Sequence, residues 1–176
     1  MAGFELRGHL LGSESPVVTE MIIVNSATVV VGDAVNVSAG FVQRATAGSK
    51  VLGIAAAIVS EKGIDLDNAP AADFDGTWTS SSATYVAAAD NQTDKKVKVK
   101  IIADPYALFY NDSAGDLANA DEKLFLDLVS ATQIADANAG STGQFQLWKR
   151  DPDGDADASK GLWRIAEWQG TPYTQD

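Results

Sequence analysis

The stretch from residue 32 to residue 60, GDAVNVSAGFVQRATAGSKVLGIAAAIVS, leaves the chain few options. Gly32-Asp33 is a turn signal. Val35 and Val37 then alternate with Ala34, Asn36 and Ser38, the period of a half-buried strand. Ala39-Gly40 permits a sharp bend, because glycine has no Cβ to clash. Phe41 and Val42 restart an extended run that closes at Ala47-Gly48-Ser49. Residues 51 to 59 carry no charge and are almost wholly apolar, which suits a strand covered on both faces. Two or three antiparallel strands with tight turns are expected here, as the core of a small β-domain. The stretch contains no histidine and no cluster of metal-ligand residues.

The flanking sequence extends the β pattern. Residues 20 to 27, EMIIVNSA, form a short run rich in branched side chains, continued by residues 28 to 31. Residues 61 to 82 are dominated by Gly, Pro, Asp, Asn and Ser and read as a long surface loop, with one short strand at Thr77-Trp78-Thr79. Residues 84 to 89 read as a strand. In KKVKVKII, residues 95 to 102, Val97, Val99 and Ile101 fall on one face and Lys96, Lys98 and Lys100 on the other. That lysine face is either a solvated surface that discourages edge pairing or a contact for an acidic surface, such as the chain's own Asp-rich loops. Pro105 ends the ladder, and alternation resumes over Tyr106 to Tyr110. Residues 121 to 130, DEKLFLDLVS, read as a strand with Leu124, Leu126 and Leu128 inward. The last hairpin pairs residues 144–150 with 161–169. Many short strands with little helix predict an all-β chain, a compact β-barrel or β-sandwich with an extended N-terminal arm. Two parts are expected: the arm over residues 1–19 and one β domain over 20–176.

Composition narrows function. At 176 residues, one domain is the first expectation. A formal charge of -11 opposes nonspecific nucleic-acid binding, which needs clustered Lys and Arg on phosphates. There is no cysteine, so neither disulfides nor thiolate metal sites exist. MAGFELRGHLLGSESP lacks the apolar core of a signal peptide, and no run approaches the roughly 20 apolar residues of a membrane helix. No membrane association is expected. The sequons at Asn36, Asn91 and Asn111 are taken as chance occurrences.

Chemistry finds few footholds. His9 is the sole histidine, so a Ser-His-Asp triad would need it held rigidly. No phosphate-binding glycine motif is present. Trp78, Trp148, Trp163 and Trp168 are either core or a sugar-stacking platform. Asp151, Asp153, Asp155 and Asp157, in DPDGDADASK, alternate in a pattern that is either a solvated turn or a calcium site. The EF-hand pattern fails, because Ala156 stands where glycine is needed and Leu162 where glutamate is needed. No other cofactor and no enzymatic activity are expected.

The segment at 1–19 carries Phe4, Leu6, Leu10 and Leu11 among glycines, with Arg7 and His9 as its basic groups. Phe4, Leu6, Arg7, Leu10 and Leu11 are the candidate partner-binding residues. Burying each apolar anchor contributes about 1.5–3 kcal/mol. Ordering the backbone costs about 1–2 kcal/mol per residue. Four anchors therefore do not hold the segment alone. Part of it must also pair its backbone, most simply by adding a strand to a neighbour's sheet.

Gly32-Asp33, Gly40, and Leu52-Gly53 followed by residues 54–57 resemble the motif of tailed-phage head decoration proteins. VKVKIIADPYALFY, with Asp104-Pro105 and Phe109, resembles a stretch common in phage structural proteins. LWKRDPDGDADASKGLWRIAEWQ resembles their closing hairpin. The resemblance implies a non-enzymatic virion protein on the outer capsid. It implies a cement that stabilises the shell by bridging neighbouring major capsid proteins, as a trimer. The alternatives are a tail or head-fibre component and, from another class, a carbohydrate-binding or hydrolytic β domain.

Overall fold

The computed structural model describes residues 3–12, 15–130, 133–134, 143–150 and 159–166. Its strands are β1 (Glu5–His9), β2 (Val18–Ile22), β3 (Thr28–Val30), β4 (Ala34–Ser38), β5 (Phe41–Arg44), β6 (Gly53–Val59), β7 (Thr77–Thr79), β8 (Thr84–Val86), β9 (Lys98–Ile102), β10 (Ala107–Asp112), β11 (Phe125–Leu126), β12 (Leu128–Ser130), β13 (Gln133–Ile134), β14 (Phe145–Arg150) and β15 (Lys160–Ile165). Only short 3-10 turns interrupt them among the described residues, so the protein is all-β as expected.

The opening stretch forms β4, β5 and β6. They lie in a five-stranded sheet of order β2-β9-β6-β4-β5. Past the end of β2, Ile23 bridges Val42 of β5 in parallel, and the Val24 N–H donates to the Val42 carbonyl at 2.8 Å. The two ends of the sheet thus meet, and the sheet curls toward a small barrel. Ile23, Val35, Val42, Ala55, Ile58, Val97, Val99 and Ile101 share one buried cluster. The three-stranded sheet β3-β8-β7 adds Val29 and Tyr85 to that cluster.

A second five-stranded sheet, β1-β10-β15-β14-β11, covers the outside of the first. Its Phe109, Phe145, Leu147, Trp163 and Ile165 pack with Ala34, Ile54 and Ile102 of the first sheet. Neighbouring residues in β4, β6 and β9 therefore serve opposite cores: Ala34 and Val35, Ile54 and Ala55, Ile102 and Ile101. Alternation sends successive side chains to opposite faces, which explains why β6 reads as uninterrupted apolar sequence. Gln144 ties the two sheets. Buried on β14's flank, it donates from Nε2 to the carbonyls of Thr46 and Ser49 and accepts the Leu128 N–H at Oε1.

Three expectations change. The segment at 1–19 is not an extended arm where it is described. β1 pairs antiparallel with β10 of its own chain, and Phe4 is buried. Its backbone does pair, as the energy argument required, but at home. Residues 61–82 hold the expected short strand as β7, but the loop is not wholly on the surface: Leu66 is buried and its N–H reaches the Ile58 carbonyl at 3.1 Å. The strand over 121–130 is broken into β11 and β12. Leu126 and Leu128 point in, whereas Leu124 is half-buried.

Candidate interaction surface

β1 occupies an edge of its sheet. Phe4 anchors its start, stacking on Phe145 with ring centroids 4.6 Å apart and meeting Phe109 edge-on at 6.3 Å. The Phe4 N–H donates to the Gly32 carbonyl at 2.9 Å. That approach needs Gly32 itself. Its φ is +93°, and a Cβ there would lie 3.1 Å from the Gly3 Cα. The register shifts between Leu6 and Gly8, so Arg7 sits at an irregularity in the ladder. Its guanidinium pairs with Glu5 at 2.9 Å and lies 5.4 Å from the Tyr110 ring centroid. A charged, irregular edge is poorly suited to accidental sheet extension.

The five partner-binding candidates thus divide. Phe4 is core. Leu10 is half-buried, with its N–H on the Tyr106 carbonyl at 2.9 Å. Leu6, Arg7 and Leu11 are exposed. Leu11 is 56% exposed, and across the connector to β2 stand Val17 at 61% and Val18 at 55%. These valines escaped the sequence reading, because an apolar pair beside a proline looks like any strand start. A cleft of about 450 Å³ opens beside β1, between residues 3–5, the Val31-Gly32 turn, and Tyr110–Asp112 with Lys160.

Behind the connector lies a buried polar pair. His9 Nε2 is 3.0 Å from Asp104 Oδ2, with side chains only 5% and 6% exposed. Asp104 also accepts the Val17 N–H at 3.2 Å and the Tyr106 N–H at 2.8 Å. His9 Nδ1 accepts the Leu11 N–H at 3.2 Å. The rigid holding that a triad requires is therefore present, but the lone pair such chemistry uses is already engaged by a backbone donor.

The remaining candidates are scattered. Trp163 is fully buried, and its Nε1 donates to the Asn111 carbonyl at 3.2 Å. Trp78 packs on the barrel core and donates to Asp67 at 2.9 Å. Trp148 lies under Lys123, whose Nζ is 3.3 Å from the ring centroid. Trp168 lies outside the described residues, so no shared platform forms among the other three. Asp151, Asp153, Asp155 and Asp157 also lie outside them. Among the described residues no group of three or more acidic or histidine side chains is placed to hold a metal ion. Asn91 and Asn111 are buried, which removes two sequons from the surface. On the lysine face, Glu20 lies 3.9 Å from Lys98 and 3.8 Å from Lys100. Such partly exposed pairs contribute about 0–1 kcal/mol. Among the described residues the neighbouring acid is thus a glutamate across the ladder, and Lys98 also donates to the Glu61 carbonyl at 3.2 Å.

No family model, curated protein or solved structure matches this chain.

Proposed function

We propose that this protein is a virion structural component. It decorates the outer capsid and stabilises the shell by bridging neighbouring major capsid proteins, acting there as a trimer. The observation that carries this reading is that four of the exposed aliphatic side chains fall on β1, on the start of β2 and beside them in sequence: Leu6, Leu11, Val17 and Val18. An acidic, cysteine-free β domain with exposed aliphatic side chains is suited to docking on a preformed surface. The resemblance of residues 32–57 supports the same reading, since those residues build β4 to β6. A ligand with threefold symmetry repeats the same weak contact three times, and avidity multiplies it.

The test is addition of the purified protein to undecorated capsids. Decorated shells should survive heating that opens bare ones, because binding the assembled state shifts apparent stability by mass action. Leu11→Asp combined with Val17→Asp should leave the free protein folded and abolish the protection. Equal melting of decorated and bare shells would remove the cement reading. A reconstruction with isolated monomers on the shell would remove the trimer. Calcium at Asp151, Asp153, Asp155 and Asp157 is checked separately by calorimetry, with Asp153→Ala/Asp155→Ala as the control.

A further inference from the structure

We infer that the His9–Asp104 pair is a proton-sensitive latch that holds the backbone at Leu11, just after β1, and at Val17, just before β2. The inference concerns the free protein and does not depend on what its surface binds. A neutral imidazole offers one N–H and one lone pair. Both are used here: Nε2 faces Asp104 Oδ2, and Nδ1 accepts the Leu11 N–H. These partners fix the tautomer with its proton on Nε2. Asp104 in turn holds the far end of the connector through the Val17 N–H. One buried pair thus fastens both ends of the segment that displays Leu11 and Val17.

A second proton acts unequally on the two ends. It must go to Nδ1, where it meets the Leu11 N–H donor to donor. That hydrogen bond is lost, and the Leu11 end is pushed away. The Nε2–H contact to Asp104 becomes charge-assisted and tightens, so the Val17 end stays fastened. The groups facing the imidazole are Asp104 and Tyr106 from the β9–β10 turn and the Leu11 amide from its own connector. Arg7, on the same strand, is engaged with Glu5 instead. Acid therefore releases the Leu11 amide without detaching the Val17 amide.

The experiment is NMR on the whole chain. With one histidine in the sequence, the His9 ring signals report its titration without ambiguity. Amide exchange, corrected for intrinsic rates, should show Leu11 losing about tenfold in protection as His9 protonates, the equivalent of one hydrogen bond. Val17 protection should be retained. His9→Asn keeps an acceptor near the Nδ1 position and cannot titrate, so Leu11 protection should become independent of pH. His9→Gln keeps a donor toward Asp104 but lacks that acceptor, so Leu11 should be unprotected at every pH. Three results would overturn the latch. Leu11 protection unchanged across the His9 titration is one. The wild-type trend persisting in His9→Asn is another, since it would assign the effect to Asp104. Acid unfolding of the chain before His9 titrates is the third.

Discussion

Asp33 shows how much one side chain can decide. It is fully buried in the turn that leads into β4. Its Oδ2 accepts the Val30 N–H at 2.7 Å, and Arg44 Nη2 donates to Oδ1 at 3.1 Å. Arg44 Nε adds an ionic contact at 2.7 Å that lacks hydrogen-bond geometry. Burial pushes the carboxyl above its ordinary 3.8, while the Val30 N–H and Arg44 pull it back. The folded state therefore keeps this proton to higher pH than the unfolded chain. Stability from this group is largest below 3.8 and falls as pH rises through the native value. Asparagine at this position cannot titrate. In urea melts, the stability of wild type minus that of Asp33→Asn should shrink with rising pH across that window, then level off. A difference that grows with pH would mean the ion pair outweighs burial. Gly53 makes a steric case. A methyl there would run into the Ile102 carbonyl oxygen and lie 2.5 Å from Ile101 Cγ2. Gly53→Ala should cost about 3 kcal/mol, since the neighbours are backbone and a packed strand. Full stability in this variant would show that β6 and β9 can part without loss.

At the scale of elements, the β4–β5 hairpin and β1 are informative. Ser38 pairs with Phe41, leaving Ala39 and Gly40 as a two-residue loop. Their φ values, +50° and +86°, are what a type I′ turn demands at both positions. Glycine accepts this freely, whereas alanine is strained by about 1 kcal/mol. Ala39→Asn should therefore raise stability by about 0.5–1 kcal/mol, read from thermal or urea unfolding. For β1, the buried Phe4 predicts a split among its neighbours. Phe4→Ala should cost about 3–4 kcal/mol, as for other buried aromatic truncations. Leu11→Ser should stay within about 0.5 kcal/mol of wild type. Removing residues 1–10 should lower the melting temperature sharply. An unchanged melt would mean that β1 contributes nothing to its sheet.

The whole molecule is held by one sheet with a core on each side. β4, β6 and β9 give alternate residues to both cores, so neither can loosen without disturbing the other. Leu147→Ala in one core and Ile58→Ala in the other should each lower a single cooperative transition. Each should cost about 2–5 kcal/mol, the range for deleting buried methylenes. Two separate transitions in either variant would show that the sheets unfold independently. The charge of -11 adds mutual repulsion between copies. Any assembly must therefore come from local surface, and exposed aliphatic side chains such as Leu11, Val17 and Val18 are apolar features available for it.

Strand existence was legible wherever the code is local. Alternation in residues 97–101, the apolar run of β6, the Ala39-Gly40 bend and the closing hairpin each act between near neighbours, so the residues carry their own instruction. The all-β class followed from summing such signals. What partners a strand is not local. The sequence showed that residues 4–11 had apolar weight and needed backbone pairing, but not whose sheet would supply it. Only the tertiary structure brings Phe109 and Phe145 to Phe4, and Tyr110 opposite Glu5. The same holds for His9 and Asp104, which lie 95 positions apart, and for Gln144, a polar residue in an alternating strand that proves to be a buried tie. Each of these needs two distant segments in register, and register across a long connection is fixed by the sum of the packing.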